Sequence, residues 1–97
     1  MMIIIAVQFN VAAGKAGAFI QEAKPLIEAT RGEAGCVSYV LHQDIKNPEQ
    51  LLLIEHWQDQ ASLDVHMRSP HYTKILPKLG AFYTAPPTIH LYQEVKS

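Results

Sequence analysis

The run LLLIEHW, residues 51–57, puts large apolar side chains on both sides of one strand. Side chains alternate along a strand, so Leu51 and Leu53 take one face while Leu52 and Ile54 take the other. The opening run does the same. Ile3, Ile5, Val7 and Phe9 share one face, and Ile4, Ala6, Gln8 and Asn10 share the other. Strands that are hydrophobic on both faces are normally covered on both. Whatever sheet this chain builds must therefore be covered twice.

The remaining segments limit what can do the covering. Residues 36–43 alternate and predict a second strand, and residues 88–95 predict a last one. In residues 15–30, Phe19, Ala23, Leu26, Ile27 and Thr30 recur near the helical period. Pro25 falls inside that helix and is expected to kink it or loosen a turn. Gly32, in RGEAG, is placed as a C-cap. The polar loop DIKNPEQ turns strand two into strand three as an antiparallel hairpin. Asp59 is a good N-cap for a helix starting near Gln60. Ser69-Pro70 predicts a second helix start, with the helix reaching about Leu79 and interrupted at Pro77. The order β-α-β-β-α-β is that of an α+β, ferredoxin-like split βαβ unit. Its two helices cover one face of a four-stranded antiparallel sheet. Leu51, Leu53, Ile3 and Ile5 then need cover that two helices cannot supply, and a homodimer through the open sheet face is expected.

Bulk properties exclude several classes of function. The 97 residues suit a single domain spanning positions 1–97. A formal net charge of -1 without a basic patch argues against nucleic acid as a partner. The apolar N-terminal run lacks a basic flank and is too short to span a bilayer, so no membrane role and a cytoplasmic location are expected. Cys36 is the only cysteine and rules out an intrachain disulfide; it is expected to pack as a small apolar residue. Gly14 and Gly17 do not form a nucleotide-binding motif. His66 and His71 are separated by five positions with Pro70 between them, which is not the spacing of a metal-binding helix. No metal, flavin or nicotinamide cofactor is expected.

The chemistry-bearing residues concentrate in IEHWQDQASLDVHMRSPHY, residues 54–72. Glu55 and Trp57 share a strand face, and His56 points to the other. On the following helix Leu63, His66 and Met67 fall at i, i+3 and i+4, so His66 flanks the apolar stripe. An imidazole there suits proton transfer at neutral pH. Each residue also has a plainer reading. A histidine beside an apolar helix face is more often a hydrogen-bonded packing residue. Trp57 is a natural core residue, and Glu55 can pair at a dimer rim. Gln8 and Asn10 can be solvated strand ends, and His71 and Tyr72 exposed first-turn residues.

Taken together, GCVSYVLHQD, LLLIEHW and ASLDVHMRSPHY resemble the antibiotic biosynthesis monooxygenase domain family. The resemblance rests on Glu55 and Trp57 ending a strand, on Ala61 and His66 on a helix with His71 after it, on Gly35, Cys36 and Tyr39, and on the Gly14-Lys15 turn. It covers nearly the whole chain. It implies a dimeric α+β barrel and a cofactor-independent monooxygenase that brings O₂ to quinol-like or polycyclic aromatic phenols. It also implies site roles. His66 would be the base, with Asn10 holding an oxyanion and Trp57 walling the pocket. Tyr72 and Glu55 would contact the substrate, while His56 and His71 would stay outside. Haem-degrading relatives carry a histidine about two turns beyond the position of His71. Residues 75–78 contain none, which disfavours haem chemistry. A non-catalytic dimeric binding or stress-response protein is the alternative on the same scaffold.

Overall fold

The computed structural model describes residues 1–96. The strands are β1 (Ile3–Asn10), β2 (Cys36–Gln43), β3 (Gln50–Trp57) and β4 (Thr88–Gln93). The helices are α1 (Ala16–Arg31), α2 (Gln60–Met67) and α3 (Pro70–Leu79), followed by one 3₁₀ turn at Gly80–Phe82. The sheet order is β2-β3-β1-β4, with every pairing antiparallel. This is the ferredoxin-like α+β arrangement that the element order implies.

Local chemistry sets most boundaries. Gly14 turns the chain from β1 toward α1 at φ 76°, in the left-handed region that glycine enters without strain. Asp59 caps α2 by accepting the Ser62 backbone N–H at 2.8 Å. Ser69 caps α3, with Pro70 in its first turn. Helix α1 runs through Pro25 without interruption, and α3 runs through Pro77. Gly32 does cap α1, but in a right-handed conformation (φ -80°). The last strand stops at Gln93, short of Val95.

The core lies between the sheet and the helices. Ile5, Val7 and Phe9 of β1 and Leu51, Leu53 and Trp57 of β3 face Phe19, Ala23 and Leu26 of α1 and Leu63 of α2. This corrects one expectation. Leu51, Leu53 and Ile5 are buried within the protomer, and Ile3 packs against the same core. The face left open carries the opposite parity: Ile4, Ala6, Leu52, Ile54, Val40 and Tyr92, linked through cross-strand register. Both parities are apolar, so alternation by itself did not say which one the helices would take.

A bulge in β2 aims one more residue at the core. Cys36 pairs with Trp57 and Ser38 with His56, leaving Val37 as the extra residue. Tyr39 thereby comes onto the covered face, opposite Glu55. Among the described residues, no helix is long and apolar enough to cross a membrane.

Candidate active site

A cavity of about 480 Å³ lies between the covered sheet face and helices α2 and α3. Its size suits a small aromatic molecule. Its walls include Ile5, Val7, Phe9, Leu53, Leu63 and Leu76, and its polar lining includes Tyr39, Glu55, Gln60, His66, Tyr72 and Tyr83. Among the described residues, no lysine or arginine lines it. On β4, Ile89 and Leu91 are more than half exposed, so the cavity opens along that edge.

His66 is the centre of the polar wall and is 2% exposed. Its ring lies 4.5 Å from the Trp57 ring at 33°, 5.1 Å from Tyr72 and 5.7 Å from Tyr39. Nδ1 donates to Glu33 Oε2 at 2.6 Å. With Nδ1 committed in this way, Nε2 is the nitrogen left to accept from a ligand. Burial lowers the His66 pKa, the Glu33 carboxylate opposes that shift, and His71 adds to it. The result is a neutral imidazole of fixed tautomer beside an apolar space, which is the state a general base requires.

Glu33 stands in the turn between α1 and β2, 33 positions before His66, and no local spacing pairs the two. The only hint in the sequence is an acid just past the C-terminal end of a helix, where the dipole disfavours it. His71 Nε2 lies 2.8 Å from the same oxygen, Oε2. This corrects the expectation that His71 is exposed and detached. It is 18% exposed and joined to the carboxylate that holds His66. The donor atoms of Glu33, His66 and His71 lie within 4.8 Å of one another, close enough to share a cation, but these two hydrogen bonds account for the cluster.

Trp57 does not itself line the cavity, which corrects the expectation that it walls the pocket: it is fully buried behind the wall and links two of its groups. One side of its ring lies against His66, and its Nε1–H donates to Glu55 Oε1 at 2.9 Å. Glu55 is 6% exposed, and burial pushes its carboxyl up to about 7, with the Trp57 bond opposing. Burial first, and then the Glu55 charge, hold the Tyr39 hydroxyl far above its ordinary range. Tyr39 is therefore a neutral donor. Tyr72 lines the cavity.

Asn10 does not reach this site. It lies at the end of β1 on the parity opposite Phe9, pairs with Gln50, and is absent from the cavity wall. Its backbone carbonyl accepts from Thr84. His56 is on the open face, with Nδ1 2.8 Å from the Ser38 hydroxyl. Gly35 explains part of the Gly-Cys-x-x-Tyr run. A Cβ there would collide with the Ser62 side chain, so glycine allows α2 to approach the α1–β2 turn and brings His66 within reach of Glu33.

The antibiotic biosynthesis monooxygenase family model matches residues 2–78. The uncharacterized protein sll1783 of Synechocystis is 30% identical over 94% of the chain, which spans only 62% of that protein's length. A crystal structure of a conserved protein from Methanosarcina mazei Go1 superposes with a TM-score of 0.93 at 35% identity, covering 98% of this chain and 94% of that one. A crystal structure described as an antibiotic biosynthesis monooxygenase superposes with a TM-score of 0.89 at 31% identity, covering 99% and 100% of the two chains. With a cavity walled by aromatic rings and a family model matching from β1 through α3, the chain belongs to the antibiotic biosynthesis monooxygenase family.

Proposed function

We propose that the chain is a cofactor-independent monooxygenase of quinol-like or polycyclic aromatic phenols. The observation that carries this reading is His66. Its Nδ1 is tied to Glu33, and its ring forms part of the wall of an otherwise mostly apolar cavity. Nε2 takes the proton of a phenolic hydroxyl. The phenolate charge spreads onto a ring carbon, which then carries enough electron density to reduce O₂. In a substrate of the anthrone type, O₂ adds to the reactive methylene carbon and gives a hydroperoxide. The O–O bond then breaks as the remaining C–H proton leaves. One oxygen stays as a carbonyl and the other departs as water. The substrate supplies all four electrons.

Each part of the wall has a task in this scheme. Tyr72 and Tyr83 present their rings to a planar substrate, while Trp57, buried behind the lining, positions His66 and Glu55. The apolar walls exclude water and keep the anion reactive. Glu33 stabilises the imidazolium that forms when His66 accepts a proton. A second copy of the chain covers Ile4, Leu52 and Ile54 on the open face, making the working unit a homodimer.

Oxygen uptake with a panel of hydroquinones and anthrones, corrected for autoxidation, tests the reading. Isotopically labelled O₂ should place one labelled atom in an anthrone-derived product. Saturable binding of these compounds with no uptake above background would favour the non-catalytic binding protein instead.

A further inference from the structure

Glu55 is an unusual residue to find in the wall of an apolar cavity. It is 6% exposed, it lies between Ile5 and Tyr39 in the sheet, and among the described residues no lysine or arginine lines the cavity with it. Only one of its oxygens has a protein partner among the described residues: Oε1 accepts from Trp57 Nε1 at 2.9 Å. Oε2 has none. Oε2 is not a sealed orphan, since Thr30 Oγ1 is the one buried side-chain atom without a partner among the described residues; it stays open to the cavity, where a ligand can pair with it. The Trp57 indole, which fixes Oε1, also lies against the His66 ring at 4.5 Å. One side chain thus sets both a base and a carboxyl group on the same wall.

We propose that Glu55 is the second proton-transfer residue of the cavity, giving its Oε2 proton to the oxygen that leaves when the substrate hydroperoxide breaks down. This rests on the monooxygenase reading above. The C–H bond of the hydroperoxide carbon breaks, and its proton goes to a base. That electron pair forms the C=O bond. The O–O bond breaks, and the departing oxygen takes its pair together with the Glu55 proton and leaves as water. The carboxylate then regains a proton from the imidazolium or from solvent. Without a donor, hydroxide would have to leave into an apolar cavity, where an unpaired anion is strongly disfavoured.

The surroundings suit a donor. On β2, Tyr39 lies opposite Glu55 and Cys36 opposite Trp57, and burial raises both of their pKa values, so neither adds a charge near neutrality. Trp57 donates a neutral hydrogen bond, and His66 on α2 is held neutral by burial until it accepts a proton. Glu55 itself stays substantially protonated up to about pH 7. It can therefore donate under conditions in which an ordinary carboxyl cannot.

The test uses the full chain with dithranol, an anthrone, and compares wild type with Glu55→Gln. The amide of that variant keeps an acceptor for Trp57 but cannot deliver an acidic proton. Oxygen uptake should begin in both. In the variant, release of the ketone product should fall by roughly 10²–10⁴, the usual effect of a positioned proton donor. Hydroperoxide should accumulate, and product release should lose its decline above about pH 7. Glu55→Asp, which retains the acid, should recover part of the rate. Wild-type rate and pH profile in Glu55→Gln would overturn the role of Glu55 and leave the monooxygenase reading intact. No uptake by wild type on dithranol or on any hydroquinone would end both.

Discussion

Nδ1 of His66 lies 2.6 Å from Oε2 of Glu33, and that contact leaves Nε2 as the nitrogen free to accept a proton. Glu33→Gln keeps an acceptor and removes the charge. A hydrogen bond to a charged group is worth about 1.5–3 kcal/mol, so turnover should fall roughly 10- to 10²-fold. The pH dependence should shift as well. Glu33 raises the His66 pKa against burial, so its loss lets that pKa fall further. The acid limb of the rate profile should move to lower pH. An unmoved limb would separate Glu33 from His66.

Glu55 makes stability depend on pH. Its carboxyl rises from an ordinary 4.5 to about 7 in the fold. The folded state thus holds the proton more tightly than the unfolded chain does. The stabilisation is complete below the unfolded value and is lost as pH rises to about 7. The loss is about 3 kcal/mol by linkage. Glu55→Gln should therefore melt higher than wild type at about pH 8, with the gap closing toward pH 4.5. His66 acts in the opposite sense, because its pKa is lowered: its contribution is present above 6.5 and lost as pH falls below that value. Parallel melting curves for wild type and Glu55→Gln across this range would contradict the burial of Glu55.

Gly35 sets the distance between the α1–β2 turn and α2. Gly35→Ala drives a methyl group into the Ser62 side chain. Overpacking of this kind costs about 1–3 kcal/mol. Denaturant melts should show that loss, and turnover should fall with it as His66 moves from Glu33. Adding Ser62→Gly should restore part of both, because it removes the colliding atoms.

Ile54 sits on the open face, paired with Ala6 on one side and Val40 on the other. Val40, Leu52 and Tyr92 on that face are 39%, 36% and 54% exposed in the single chain. Light scattering after gel filtration should give a dimer for wild type. Ile54→Lys should shift it to monomer by placing a charge within the interface. A wild-type monomer at micromolar concentration would remove the homodimer.

The sequence made the strands, helices and caps legible because each depends on nearby residues. Asp59 and Ser69 reach only three positions along the chain for their bonds. The place of Trp57 and Glu55 on one face followed from alternation. Longer-range features were hidden. Leu51 and Leu52 are equally apolar, so only docking of α1 and α2 determines which is buried. Tyr39 faces the cavity because Val37 bulges, and that depends on register with β3. Glu33 and His71 meet across 38 positions, and neither carries a local signal for the other. Asn10 obeyed its strand parity, which carried it away from the cavity wall.

His66 carries the central claim, and oxygen uptake by His66→Ala against wild type tests it most directly. Both proteins must be folded and in the same oligomeric state, with dithranol or a hydroquinone as substrate and autoxidation subtracted. Loss of a positioned general base should lower the rate by roughly 10²–10⁴. Equal uptake by the two proteins would contradict the assignment of His66 as the base.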